Sequence, residues 1–403
     1  MPGRIPQYGQ FRISSRFTAI LDRVLGPQQG GGNSEPEPTP ERVLIAATRG
    51  NPCAQGTAGT IATSDVGTTY RVKHTTPSGI KEGQLVFANS QLLYNGENNG
   101  PNAITVKASI ELMDGTIIPV TFDGQATVTI APGGRAVSDK MTHEFAEGAE
   151  FYSRTWVHTA AASQSWPVGT IMRGYSEGTA SGDATASGTF TSSTGFAYSP
   201  YSIIGKHKTK KPAILCIGDS ISKGLVGSED NSYVNRAIGT AANYIVAARS
   251  GLYISALLTQ SKRAHMEWLA DYATSIYIAL GTNDLNGATN YATVKGNMDS
   301  LISIFTAKNA KLIYATILPR TVSSSDLTPY TNYGGPTSVR GQLNTYIMSK
   351  PAGVDAAVDL NPNIETGQDT SVWVTGATAD GTHPNYGTWH QAISANLPVS
   401  LFV

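Results

Sequence analysis

Between residues 42 and 206 apolar positions come in short runs. These cover 43–47, 83–94, 103–112, 117–122, 126–130, 150–158 and 170–174, and they are rich in β-branched and aromatic residues. Turn residues separate them, notably Asp114-Gly115, Asp123-Gly124 and Pro132-Gly133-Gly134. Asp-Gly between such runs is a hairpin signal, because both central positions of the favoured turns need left-handed backbone. The stretch AITVKASIEL alternates apolar and polar side chains, as a strand with one buried face does. Short strands at close, regular spacing predict an all-β domain of sandwich or jelly-roll type. Residues 176–196 (SEGTASGDATASGTFTSSTGF) are low in complexity and predict a mobile excursion.

From Lys211 the period changes. Continuous apolar runs at 213–217, 244–248, 275–280, 312–318 and 356–360 alternate with helical stretches near 234–242, 254–271, 291–310, 339–350 and 386–395. Val294, Met298, Leu301, Ile302 and Phe305 mark one helical face. Apolar strands alternating with helices predict a parallel sheet covered on both faces. Ligands of such sheets bind beyond the carboxyl ends of the strands.

Upstream, residues 17–25 predict one short helix, and GGGNSEPEPTPE at 30–41 is a linker by composition. The organisation is therefore a tail and linker over 1–41, a β domain over 42–205 and an α/β domain over 206–403. With 403 residues and 40% hydrophobic content the chain can build such cores. Its net charge of +0 leaves no excess of either sign to draw in nucleic acid or an anionic membrane. No run approaches the ~18 apolar residues of a membrane span. The first 30 residues lack the pattern of a secretory signal, so the protein is cytosolic, leaves the cell by another route such as a virion released by lysis, or has had its signal removed; an extracellular or virion-associated location is the leading expectation. Cys53, in a polar loop, and Cys216, in a buried run, make neither a disulfide framework nor a metal site.

Four polar motifs fall where the chemistry of a parallel sheet belongs. Gly218-Asp219-Ser220-Ile221 follows the first run, Arg249-Ser250-Gly251 the second and Gly281-Thr282-Asn283-Asp284 the third. Asp380-Gly381-Thr382-His383-Pro384-Asn385 follows the last run and precedes the final helix. A serine at a strand end exposes its Oγ. A glycine lets backbone approach a ligand closely. An asparagine amide donates without titrating, and an Asp three residues before a His can orient the imidazole as a general base.

In order and placement these blocks resemble those of the SGNH hydrolases, the GDSL-type esterases, over about 190 residues. Ser220, Gly251, Asn283 and His383 match the four residues that name the family, and Asp380 matches the acid of its D-x-x-H block. Ile221 stands where many members have Leu, a volume-conserving change. The resemblance implies a three-layer, flavodoxin-like parallel sheet. It implies a Ser220–His383–Asp380 triad and an oxyanion hole from the N–H groups of Ser220 and Gly251 and the Asn283 side chain. No metal or organic cofactor is implied. His390 is read as structural.

Family members act on lipids, thioesters, aryl esters and acetylated carbohydrates. The polar, aromatic segment 320–336 and the scattered aromatics near the acid–base loop favour a saccharide, and no apolar lid is evident. Asp219, Tyr333, Trp373 and Tyr386 are the candidate substrate contacts. The β domain resembles modules that precede such hydrolases in bacterial and phage proteins, where they bind polysaccharide or mount the enzyme. The leading expectation is an O-acetyl esterase acting on a polysaccharide or a small acyl ester. The alternatives are a lipid or thioester hydrolase and a non-catalytic binding protein that keeps the fold. Deleting 1–205 is expected to spare activity on a small aryl acetate and to impair it on polymer.

Overall fold

Five apolar runs of the C-terminal half become five parallel strands, Ala213–Gly218, Asn243–Ala248, Ser275–Ala279, Lys311–Ala315 and Ala356–Val358. They lie side by side in the order 2-1-3-4-5. This is the flavodoxin-like order, with its topological switch point between the first and third strands. The computed structural model describes residues 41–47, 61–224, 232–286, 289–385 and 387–403. The helix expected over 17–25, the linker up to residue 40, Cys53 and Tyr386 lie outside them. Residues 42–403 form one compact unit.

Both faces of the parallel sheet are covered, because successive side chains of a strand point to opposite sides. Leu215, Ile217, Ile276, Ile278 and Leu312 pack with the helices Tyr291–Thr306 and Val339–Met348 through Met298, Leu301, Phe305, Leu343 and Ile347. Ile214, Cys216, Tyr277 and Ile313 face the other way, against the helices Tyr233–Ile238 and Thr388–Ala395. Among the described residues no helix is long and apolar enough to cross a membrane. The helix expected over 254–271 is broken instead. It consists of 3-10 turns at Ile254–Leu258 and Gln260–Lys262, the short helix Ala264–Leu269 and a last 3-10 turn at Ala270–Tyr272. Two tertiary contacts set the breaks. The Ile254 N–H is held by Asp284, and the His265 and Met266 N–H groups are held by Glu97.

The N-terminal half is antiparallel. A four-stranded sheet runs Val43–Ile45, Ser202–His207, Ile80–Ala88, Arg135–Val137. A seven-stranded one is built around Thr68–Thr76, Ala149–Thr159 and Ile104–Leu112. Both send side chains into one apolar cluster, including Leu85, Phe87, Val106, Ile110, Phe151 and Trp166. The Asp123-Gly124 pair turns the chain with both residues at positive φ, as a two-residue hairpin turn requires. The single run over 83–94 is divided at Asn89. The Asn89 amide donates to the carbonyls of Asn102 and Ile130, and its own carbonyl accepts from Gly100 and Gly133.

Segment 176–196 is not a loose excursion. Gly178–Ser181 pairs with Thr68–Thr76 and with Thr191–Ser192. Glu177 and Thr185 are buried, with Glu177 accepting from the Lys73 and Arg173 N–H groups. Small side chains here serve close strand approach: a Cβ on Gly178 would lie 2.0 Å from the Thr191 carbonyl oxygen.

One apolar cluster crosses residues 205–213. Ile45, Val86, Ala88, Leu92, Tyr201 and Ile204 share it with Leu215, Ile217, Ile245 and Met266. The antiparallel part therefore supplies part of the wall that covers the parallel sheet. Removing it would strip the parallel sheet of part of its apolar cover.

Candidate active site

Gly218 ends the first parallel strand, where a Cβ would collide with Ser222 at 2.4 Å. Asp219 follows in extended backbone and caps the single-turn helix Ser220–Lys223, its carboxylate accepting from the Ile221 N–H at 2.9 Å. Ser220 is thus the first helical residue at the carboxyl edge of the sheet, beside the switch point. Burial pushes the Asp219 carboxyl up to about 7, helped by the nearby Asp284, against the opposing pull of its N–H donors.

His383 comes to Ser220 from 163 positions away. Its Nε2 lies 2.8 Å from Ser220 Oγ, and its Nδ1 lies 2.6 Å from Asp380 Oδ2. The other carboxylate oxygen, Oδ1, accepts the N–H groups of Thr382 and His383, both at 2.8 Å. Asp380 therefore holds the ring and its own loop at once. Partial burial alone would raise its pKa, but the donors from His383 and Thr382 outweigh it and hold the carboxyl below the usual range. The Asp380 side chain is 51% exposed and that of His383 24%, so the pair sits at the mouth of the site.

The loop is pinned at Gly381. Its carbonyl accepts the Thr321 N–H at 2.8 Å and the Trp373 indole N–H at 2.9 Å. Its φ is +86°, and a Cβ there would lie 2.6 Å from the Thr321 carbonyl oxygen. Thr378 closes the loop, its hydroxyl donating to the His383 carbonyl and accepting from the Gly381 N–H.

The second and third motifs sit on the neighbouring strand ends. The Arg249 N–H donates to the Gly218 carbonyl, which ties the turn after Asn243–Ala248 to the base of the Ser220 helix. Gly251 in that turn has φ +79°. Asn283 lies in the 3-10 turn Thr282–Leu285 and donates one amide proton to the Leu252 carbonyl at 3.0 Å. Its second amide proton remains available. Asp284 accepts the Ile254 N–H through both oxygens at 3.0 Å, and burial lifts its carboxyl to about 7. The Gly251, Leu252 and Asn283 group is thereby held as one unit.

The expected substrate contacts fare differently. Tyr333 and Trp373 are both 0% exposed. Tyr333 donates its hydroxyl to the Thr282 carbonyl at 2.8 Å, and Trp373 is spent on Gly381. They are loop anchors with no ring face to offer, which corrects the sequence expectation. Asp219 is likewise buried beneath Ser220 as a cap. His390 is buried within its helix, accepts the Tyr233 N–H at 3.1 Å, and is pushed down to about 4 by burial and the charge of Arg236. Two side chains that the sequence did not single out do reach the site. Tyr94 packs against Gly251, and Tyr253 stands beside it. Among the described residues no group of three or more His, Cys, Asp or Glu side chains is placed to hold a metal ion.

A Ser–His–Asp relay on the carboxyl edge of a 2-1-3-4-5 parallel sheet is the constellation of a serine hydrolase on an α/β fold. The chain resembles the SGNH hydrolases both in its four blocks and in where the fold puts them. No family model and no curated protein sequence matches the chain. Among solved structures it is similar to a GDSL-like lipase from Bacteroides thetaiotaomicron, with 19% identity, a TM-score of 0.35, and 47% of this chain and 86% of that one covered. It is similar also to the psychrotrophic esterase EstA from a Pseudoalteromonas species, with 21% identity, a TM-score of 0.35, and 46% and 93% covered. A family two carbohydrate esterase from Clostridium thermocellum, solved with cellohexaose, shares 13% identity at a TM-score of 0.34, with 87% and 96% covered.

Proposed function

We propose that this chain is a serine ester hydrolase of the SGNH type, and that it removes small acyl groups, acetyl above all, from a polysaccharide. The observation that supports hydrolysis is the unbroken relay from Ser220 Oγ through His383 to Asp380, at 2.8 and 2.6 Å. In this reading His383 Nε2 takes the Ser220 proton as Oγ attacks the ester carbonyl. The N–H groups of Ser220 and Gly251 and the free Asn283 amide proton stabilise the oxyanion, each such donor contributing about 10²–10³ in rate. His383 then returns the proton to the leaving alcohol, leaving an acyl group on Ser220. A water activated by the same imidazole releases the acid. Asp380 stays ionised throughout, since its own surroundings favour the carboxylate.

The acetyl and polysaccharide parts of the reading rest on the surroundings of the relay. The acid–base pair lies at the surface, open to a polymer. The adjoining rim carries exposed tyrosines, Tyr94 and Tyr330. We read the two antiparallel sheets with their common apolar cluster as a β-sandwich that buttresses the catalytic half and shapes this rim. Acetate release from acetylated xylan by wild type, abolished in Ser220→Ala, is the expected result. Activity on aryl esters that climbs from acetate to octanoate would instead assign the site to lipids.

A further inference from the structure

The antiparallel half reaches the reaction centre at one place. Strands Ser90–Leu93 and Gly96–Asn99 form a hairpin whose two-residue turn is Tyr94-Asn95. Gly96 has φ +91°, and a Cβ there would lie 2.7 Å from the Lys262 carbonyl oxygen, so the hairpin lies directly on the 260–262 turn. Four hydrogen bonds fix it further. Buried Glu97 accepts the N–H groups of His265 and Met266 at 2.7 and 2.9 Å. The Tyr201 hydroxyl also donates to Glu97, and Lys262 Nζ donates to Asn98 Oδ1 at 2.6 Å. The tip so held sets Tyr94 Cβ 3.2 Å from where a side chain on Gly251 would begin. The Tyr94 side chain is left 43% exposed, its ring 6.5 Å from that of Tyr253 and tilted 44° to it.

We propose that Tyr94 and Tyr253 form the subsite for the alcohol side of the ester, an aromatic wedge that receives the sugar ring bearing the acyl group. The proposal rests on the reading of Ser220 and Gly251 as nucleophile and oxyanion donor. A small acyl group is taken up beside Ser220, whereas an exposed ring next to Gly251 meets the part of the ester that extends into solvent. Aromatic faces take the apolar faces of sugar rings, and the turn sets the polar Asn95 beside Tyr94. An acyl-chain site would call for an apolar lining, which a turn of Tyr94 and Asn95 does not provide. The side chain responsible for specificity thus comes from the antiparallel half and is positioned by Glu97.

The test compares kcat/KM on acetylated xylohexaose with kcat/KM on triacetin, an acetate ester without a ring, for wild type, Tyr94→Ala, Tyr94→Phe and Tyr253→Ala. The saccharide-to-triacetin ratio is expected to fall about tenfold in Tyr94→Ala, mostly through KM, and to be kept within about twofold in Tyr94→Phe. A ratio unchanged in Tyr94→Ala, or wild type cleaving triacetin but no saccharide, overturns the proposal. Loss in Tyr94→Phe equal to that in Tyr94→Ala overturns the stacking role. Ser220→Ala separates the two layers: if it keeps activity on both esters, the nucleophile reading fails instead. Binding of the acetylated xylohexaose to Ser220→Ala, by calorimetry, reads the subsite without turnover. Adding Tyr94→Ala is expected to weaken that binding about tenfold, and equal binding overturns the subsite.

Discussion

Asp380→Asn changes one oxygen of the acid–base loop to an amide nitrogen, and the geometry dictates which one. Oδ1 accepts two backbone N–H groups at 2.8 Å, while Oδ2 faces His383 Nδ1. Turning the amide so that its NH₂ meets the two backbone donors would lose both of those bonds, at about 1 kcal/mol or more each. The NH₂ group therefore faces the ring, Nδ1 must accept, and the imidazole proton moves to Nε2. That proton then points at Ser220 and blocks the general base. Reaching the productive tautomer costs about 2–3 kcal/mol, or roughly 10²-fold in rate. Losing the carboxylate opposite the imidazolium adds roughly another factor of ten, limited because Asp380 is half exposed and its field is screened by water. The expected fall in kcat on para-nitrophenyl acetate is about 10³-fold, smaller than the ~10⁴ of a fully buried triad acid, with KM little changed. A loss below tenfold would refute the role assigned to Asp380.

Other perturbations follow from the same geometry. Gly381→Ala forces a Cβ to within 2.6 Å of the Thr321 carbonyl at φ +86°. It is expected to destabilise by about 1–3 kcal/mol, read from urea midpoints, and to lower kcat by shifting His383; a variant with wild-type stability and rate would contradict the pinning of that loop. Asp219 is favoured in its protonated form by folding, so its contribution is full below about pH 4 and is lost as pH rises toward about 7. Asp219→Asn should therefore gain stability relative to wild type between pH 5 and pH 8, by up to about 3 kcal/mol, and a pH-independent difference would exclude that assignment. Glu97→Ala leaves the His265 and Met266 N–H groups without their acceptor and is expected to cost about 1–3 kcal/mol. Its saccharide-to-triacetin ratio should fall as in Tyr94→Ala, whereas an unchanged ratio would show that Glu97 does not position the hairpin.

The parallel sheet was legible because its strands are continuous apolar runs and its chemistry sits in loops directly after them. Ser220, Asp380 and His383 could be named because each motif is local and the four blocks together resemble those of the SGNH hydrolases. The strand Thr68–Thr76 was not legible, because TTYRVKHTT carries charges on one face, where Arg71 pairs with Glu111 across the sheet. The 176–196 segment misled through composition, since small residues that allow close strand approach look the same in sequence as those of a loose loop. Tyr333 and Trp373 were taken for contacts because aromaticity near a motif is visible in sequence while burial is not. Tyr94 gave no signal at all. It lies 157 positions before Gly251, and only the Glu97 and Lys262 contacts bring its hairpin there.

The central claim is that Ser220 is a nucleophile activated by His383. The most direct measurement is treatment of the whole chain with a fluorophosphonate, followed by mass spectrometry of its peptides. The account predicts one phosphonyl adduct on Ser220, formed in step with loss of esterase activity and slowed strongly in His383→Ala. An intact Ser220 under conditions that abolish activity, or labelling as fast in His383→Ala as in wild type, would contradict it.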